Sequence, residues 1–118
     1  MAQAFQDLTV WQRAMEMTVC IYSLTKAFPK DETYGLTSQL RRASVSVASN
    51  IAEGRGRGTD GDFRHFLNIA QGSTYEVQTQ LLVARQLKIG DEAMLNKAEA
   101  LCIETSKMLG AFIRSFES

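Results

Sequence analysis

The chain contains few residues that would interrupt a helix. Its one proline is Pro29, and four of its eight glycines lie close together at positions 54, 56, 58 and 61. Proline inside a helix removes a backbone hydrogen bond and glycine lowers helix propensity, so long stretches without them favour long helices. Between these breaks apolar residues recur at three- and four-residue steps, without the alternation that is typical of a strand. The sequence therefore predicts an all-α fold.

Four helices are expected, approximately at residues 8–27, 34–53, 61–89 and 91–116. Pro29 should end the first helix, because proline disfavours the helical conformation of the residue before it. Gly54 is expected to stop the second helix in the left-handed conformation, and Gly90 to stop the third. Thr59 and Asp91 are the expected N-caps of the third and fourth helices. Long helices with short connections predict an antiparallel up-down-up-down four-helix bundle.

The apolar residues predict which helix faces are buried. In the first helix one expected core stripe contains Val10, Trp11, Ala14, Met15, Thr18, Ile21, Tyr22 and Thr25. The second helix has two apolar faces, one with Leu36, Leu40, Ala43, Val47 and Ile51, the other with Val45, Ala48 and Ala52. A helix that is apolar on two faces has more surface to bury than one bundle core can take. We therefore expect the face that contains Ala48 to contact another subunit.

A polar stripe separates the two apolar faces of the second helix. At helical spacing it contains Gln39, Arg42, Ser46, Ser49, Asn50 and Glu53. The stripe is either a solvated surface or a partly buried network, and burial would require its members to bond one another. We favour a network that fixes the geometry of a partner. On the third helix Ser73 and Glu76, with Gln71 and Gln80, could supply matching groups, either within one chain or between chains.

Basic residues gather around the glycine-rich segment. Arg55 and Arg57 lie within it, and Arg64 and His65 follow near the start of the third helix. Backbone N–H groups at a helix N-terminus and arginine side chains can together hold a phosphate. These four residues are therefore the candidate nucleic-acid or anion-binding residues. Two neighbouring aspartates offset part of the charge, so a solvated or ion-paired loop is the competing interpretation.

The sequence predicts no catalytic residue, cofactor or metal site. Gly56-x-Gly58-x-x-Gly61 has the letters of a dinucleotide-binding loop, but it follows a predicted helix where that motif requires a strand. His65 is the only histidine, so neither a serine nucleophile with its base nor a di-iron bundle site can be completed. Cys20 and Cys102 lie among apolar residues and are expected to be small core residues. A metal-dependent bundle enzyme remains the third alternative function.

Length and charge limit the protein further. The 118 residues are enough for one domain, 1–118, with a core of its own. Thirteen basic and thirteen acidic side chains give no net charge, whereas nucleic-acid binders usually carry a basic excess. Nucleic-acid binding would thus need a local basic patch. The first residues lack the pattern of a signal peptide and no 18-residue apolar stretch occurs, so a cytoplasmic protein without membrane contact is expected.

Several segments taken together resemble a known family. They are Leu8-x-x-Trp11-Gln12-x-Ala14, Phe28-Pro29-x-x-Glu32, Tyr34-Gly35-Leu36-Thr37-x-Gln39, Arg41-Arg42-Ala43-x-Val45-Ser46, Asn50-Ile51-Ala52-Glu53-Gly54, Asp62-Phe63-x-x-Phe66-Leu67-x-Ile69-Ala70 and Gly72-Ser73-x-x-Glu76. The chain resembles the bacterial four-helix bundle proteins first met as reading frames inside intervening sequences of 23S ribosomal RNA genes. The resemblance covers nearly the whole chain and is weakest after Gly90.

The resemblance implies a ring-shaped homopentamer without catalytic activity. The chain is also similar to an accessory protein of diversity-generating retroelements, a basic pentamer that binds nucleic acid and a reverse transcriptase, although this chain is neutral. The leading hypothesis is thus a homo-oligomer that binds RNA, DNA or a nucleic-acid enzyme. In a ring, symmetry would repeat Arg55, Arg57 and Arg64 into a basic rim. The alternative is a structural or protein-interaction oligomer with no nucleic-acid role.

Overall fold

The computed structural model describes residues 4–117, and all regular structure in that range is helical. The four α-helices are α1 (Thr9–Thr25), α2 (Leu36–Gly56), α3 (Asp60–Gln86) and α4 (Glu92–Arg114). Short 3-10 turns at Phe5–Asp7 and Lys30–Glu32 precede α1 and α2. The prediction of an all-α fold with four helices is confirmed.

The four helices form a bundle in which each helix packs against the next in the chain and α1 closes onto α4. Residues 57–59 connect α2 to α3, and residues 87–91 connect α3 to α4. Connections this short join helices that run in opposite directions. The cross-section is therefore a square with α1, α2, α3 and α4 at successive corners. The pair α1–α4 lies opposite the pair α2–α3.

The core runs along the axis of this square. Its large, fully buried side chains include Met17, Ile21, Leu24, Leu40, Val47, Ile51, Leu67, Val77, Leu81 and Leu109. The first apolar face expected on α2 is buried as predicted. The stripe expected on α1 is partly wrong, because Met15 and Tyr22 are 39 % and 42 % exposed. Helix α1 turns Met17 and Leu24 inward, since its buried side is set by the positions of α2 and α4.

The second apolar face expected on α2 is divided between core and surface. Ala48 is only 6 % exposed and belongs to the core of its own chain, whereas Val45 is 41 % exposed. The expectation that Ala48 contacts another subunit is therefore wrong. Because α2 packs against both α1 and α3, it buries a wide arc of its surface within one chain. Val45 is the exposed member of that face, and Ala52 is half-buried.

Helix α2 continues past Gly54, where it was expected to end. Gly54 is buried inside the helix, and the left-handed glycine that follows is Gly58, with φ 89°. A Cβ atom at position 54 would lie 2.6 Å from the Cβ atom of Phe66 and 3.2 Å from Cδ1 of Phe63. The glycine thus permits a close approach of α2 and α3 and does not end the helix.

The predicted N-caps are present. Thr59 Oγ1 accepts a hydrogen bond from the N–H of Asp62 at 3.2 Å, and an Asp91 carboxylate oxygen accepts one from the N–H of Met94 at 3.0 Å. At its other end α3 stops at Gln86, and the left-handed conformations that turn the chain occur at Lys88 and Gly90. No helix within residues 4–117 is long and apolar enough to cross a membrane.

Candidate interaction surfaces

Three residues of the predicted polar network meet between α2 and α3. The hydroxyl oxygens of Ser46 and Ser73 are 3.0 Å apart, and Asn50 Nδ2 donates to the carbonyl oxygen of Ser46 at 2.8 Å and to its hydroxyl at 3.0 Å. The Ser73 hydroxyl also donates to the carbonyl of Ile69 at 3.3 Å. This part of the network lies within one chain, where it joins the two helices that pack most closely.

Two other residues have different partners from those the sequence suggested. Glu53 forms an exposed ion pair at 3.1 Å with Arg57, which lies four residues later in the chain. Gln71 faces α4, where its Nε2 donates to the carbonyl of Ser106 at 3.0 Å. Gln71 Oε1 accepts from the hydroxyls of Thr74 and Ser106 at 2.9 and 3.1 Å. Gln71 therefore fastens α3 to α4 and supplies nothing to α2.

The remaining stripe residues line an open groove between α2 and α3, which we call the α2–α3 groove. Its polar part is lined by Gln39, Arg42, Ala43, Ser46, Glu76 and Gln80. Its more apolar part shares Gln39, Glu76 and Gln80 and adds Leu36, Gly72, Tyr75, Thr79 and Val83. The groove thus has one polar and one apolar half. The sequence had indicated groups on both walls of the polar half but not the apolar half.

The polar half of this groove contains charges without partners. Arg42 and Glu76 are both exposed, and neither forms an ion pair within residues 4–117. Between these walls, Gln80 Oε1 is buried and accepts no hydrogen bond. An unpaired buried polar group costs on the order of 1–3 kcal/mol. Because Gln80 Oε1 is not accessible from the groove, the groups that an occupant could bind are the exposed charges of Arg42 and Glu76.

A second groove lies on the opposite side of the bundle, between α1 and α4. This α1–α4 groove is lined by Met15, Glu16, Val19, Cys20, Ser23, Met94, Lys97 and Leu101. Val19 is 62 % exposed. Glu16 is held by Arg13 at 3.1 Å, whereas Lys97 has no ion pair among the described residues. The groove is apolar along its floor and carries one charge of each sign.

The predicted basic residues lie at one end of the bundle, where aromatic side chains occupy most of their surroundings. The guanidinium of Arg57 lies 4.9 Å from the centre of the Phe66 ring in addition to its ion pair with Glu53. The imidazole of His65 meets the same ring edge-on at 5.5 Å between centroids. The guanidinium of Arg57 thus already contacts Glu53 and Phe66 of its own chain.

The other two arginines of this end are also engaged. Arg64 forms an ion pair with Glu117 at 3.1 Å, and the guanidinium of Arg55 lies 6.0 Å from the centre of the Phe63 ring. The alternative to anion binding, in which these arginines form ion pairs within the chain, therefore holds for Arg57 and Arg64. Surface ion pairs of this kind are weak, at about 0–1 kcal/mol, so a strong anionic ligand could still displace the glutamates.

The two cysteines are free thiols in apolar surroundings. Cys102 is fully buried and donates to the carbonyl of Thr74 at 3.2 Å. Burial, with the nearby Glu99 carboxylate, raises the pKa of the Cys102 thiol to about 12. Burial also raises the pKa of Cys20, although Lys97 opposes the change. Within residues 4–117 no three His, Cys, Asp or Glu side chains gather where they could hold a metal ion.

The family is decided by a comparison with known proteins. The family model described as 23S rRNA-intervening sequence protein matches residues 6–111. The chain belongs to this family. The match confirms the resemblance and covers all four helices except the end of α4. A comparison with curated proteins gave no match.

A solved structure supports the same fold for this family member. It is a crystal structure of a protein of unknown function from the S23 ribosomal protein family of Bacteroides thetaiotaomicron. The two chains superpose with a TM-score of 0.81 at 23 % sequence identity, over 89 % of this chain and 95 % of the other. At this identity the likeness shows the four-helix fold and does not extend to binding or assembly.

Proposed function

We propose that this family member is a non-enzymatic protein whose copies associate into a homo-oligomer that serves as an interaction scaffold. The observation that carries the proposal is the placement of exposed apolar side chains on two opposite grooves of one small bundle. Met15 and Val19 lie beside the α1–α4 groove, and Tyr75 and Val83 beside the α2–α3 groove. Contiguous apolar surface of this kind marks sites of protein interaction.

The polar groups favour binding over catalysis. Two serines of α2 bond backbone or other hydroxyl groups: Ser44 donates to the carbonyl of Arg41, and Ser46 bonds Ser73. His65 lies against Phe66 on α3 and shares no hydrogen bond with either serine. A serine nucleophile requires an oriented base within hydrogen-bond reach.

Size-exclusion chromatography with light scattering tests the proposal. One chain has a mass of 13.1 kDa, so the pentamer that the family resemblance implies would have five times that mass. A stable multimer at micromolar concentration is the expected result. A monomer throughout the concentration range would overturn the proposal.

Nucleic-acid binding is the second candidate, favoured by the presence of Arg55, Arg57 and Arg64 at one bundle end. Repeated around an oligomer, these arginines would form a basic rim despite the neutral chain. Binding of a single-stranded oligonucleotide should then weaken steeply with salt, and the double variant Arg55→Ala with Arg57→Ala should flatten that slope.

The control for this experiment is Arg85→Ala, which removes an arginine at the far end of α3, where it pairs with Glu99 at 3.5 Å. The control should leave the salt slope unchanged. Binding that does not depend on salt, or equal slopes for the control and the double variant, would contradict a role for the arginine end.

A further inference from the structure

We infer that the α2–α3 groove of one chain receives the α1–α4 face of a second copy, with Lys97 of that copy placed against Glu76. The inference rests on the proposed self-association and adds which two surfaces meet and which charges face each other. It starts from the unpaired groups of the α2–α3 groove.

The α2–α3 groove lacks a cationic donor. Glu76 lines the groove, is exposed and has no ion-pair partner within residues 4–117. A lysine ammonium has three N–H donors and accepts nothing, so it could bond the exposed carboxylate of Glu76. Bonds of this kind to an ionised group are stronger than neutral ones. The polar half of the groove therefore fits a lysine.

The apolar half of the same groove fits an apolar surface. Tyr75 is 55 % exposed and Val83 is also exposed, while a Cβ atom added at Gly72 would meet nothing within 4 Å. Two large side chains thus project beside an open stretch of helix surface. The α1–α4 groove offers the matching shape, a concave surface with Met15 and Leu101 among its lining residues. Burying this area on association would contribute about 25 cal/mol per Å².

Charge selects the α1–α4 face over the other exposed apolar face of α1. The groove between α1 and α2 contains Lys26 and Arg41 and no acidic residue, so it would bring two cations towards Arg42. The α1–α4 groove contains Lys97 and Glu16, one charge of each sign. It can therefore oppose Lys97 to Glu76 and Glu16 to Arg42. Complementary charges fix register and exclude wrong partners.

The two surfaces are different and lie on opposite sides of one chain, so the contact is head-to-tail. After one such contact the pair retains one free groove of each kind: the first copy keeps its α1–α4 groove and the second its α2–α3 groove. Repetition of the contact produces a ring if the rotation closes and an open filament if it does not.

A charge exchange tests the inference. Glu76→Lys and Lys97→Glu should each raise the concentration at which the multimer dissociates by about tenfold or more, because each places like charges together. The double variant should return that concentration close to the wild-type value. Light scattering across a dilution series measures the mass, and circular dichroism verifies that each variant is folded; both side chains are exposed, so the bundle should tolerate the changes.

Two control pairs separate the possible results. Lys107 is an exposed lysine of α4 outside the groove, so Lys107→Glu should not rescue Glu76→Lys. Rescue by Lys26→Glu instead of Lys97→Glu would assign the contact to the α1–α2 face and overturn the inference. A wild-type monomer would refute self-association itself. A multimer whose mass no single variant changes would leave self-association standing and refute only the assigned surfaces.

Discussion

Replacing Gly54 with alanine should destabilise the bundle, although alanine is the better helix former. Gly54 lies inside α2 at a close approach of α2 and α3. The added methyl carbon would lie 2.6 Å from the Cβ atom of Phe66. Carbon atoms in normal contact are about 3.5–4.0 Å apart, so one helix must move by roughly 1 Å. The Phe66 Cβ is fixed to its backbone and cannot rotate away.

The expected magnitude is the difference between two terms. Alanine in the helix interior should gain about 0.5–1 kcal/mol over glycine. Forcing an extra methyl group into a packed interior typically costs about 1–3 kcal/mol. A further contact at 3.3 Å from the Phe63 carbonyl oxygen restricts the direction in which the helices can separate. We expect a net loss of about 1–2 kcal/mol in the free energy of unfolding.

The matched control is Gly56→Ala, two residues further along α2. A Cβ atom at position 56 would meet nothing within 4 Å, and this glycine does not have a positive φ. The control should therefore equal the wild type or gain up to about 0.5 kcal/mol. Urea denaturation followed by circular dichroism, at one fixed protein concentration, measures both variants. A Gly54→Ala variant that is as stable as its control would refute the close approach of α2 and α3.

Substitutions at three further positions test other parts of the structure. Gln71→Leu should lower the free energy of unfolding by about 1–3 kcal/mol, because it removes three hydrogen bonds and leaves polar groups of Ser106 without partners. An unchanged free energy of unfolding would indicate that Gln71 bonds water and not α4. Thr59→Ala should cost about 1 kcal/mol through loss of the α3 N-cap, whereas Thr59→Ser should cost little. The raised pKa of Cys102 means that the unfolded thiol ionises first, from about pH 9, so unfolding free energy should fall by up to about 1.4 kcal/mol per pH unit between pH 9 and 12. Cys102→Ser should remove that contribution, and identical pH dependence of the two proteins would show that the thiol ionises while folded.

The sequence was a good guide where a pattern depends on helix geometry alone. The positions Leu40, Val47 and Ile51 recur at helical spacing and are all buried. The caps at Thr59 and Asp91 were predictable because side-chain capping is local chemistry. Gly54 could not be interpreted correctly in this way. A glycine after a helical run favours a stop, and only the packing of α3 shows that the residue makes room for a neighbour.

The candidate surfaces were predictable only in part. The polar stripe of α2 indicated Ser46 and Asn50, and the structure bonds Ser46 to Ser73 and Asn50 to Ser46. It did not indicate that Gln71 turns towards α4, because three-residue and four-residue steps along α3 fit either neighbour. Ala48 was assigned to the wrong side for a related reason. Alanine occurs both in protein cores and in interfaces between subunits, so its identity does not distinguish the two. Ala48 is buried within its own chain because α2 lies between α1 and α3.

The order of the helices along the chain has a consequence for synthesis on the ribosome. The α2–α3 groove is built from two helices that are adjacent in sequence and joined by residues 57–59, so its walls can pair as soon as α3 has emerged. The α1–α4 groove is built from the first and fourth helices and cannot exist before α4 is made. In the association inferred above, a growing chain would be able to receive a finished copy before it can dock onto one. Co-translational assembly would then proceed in one direction, with completed subunits added to chains still being translated.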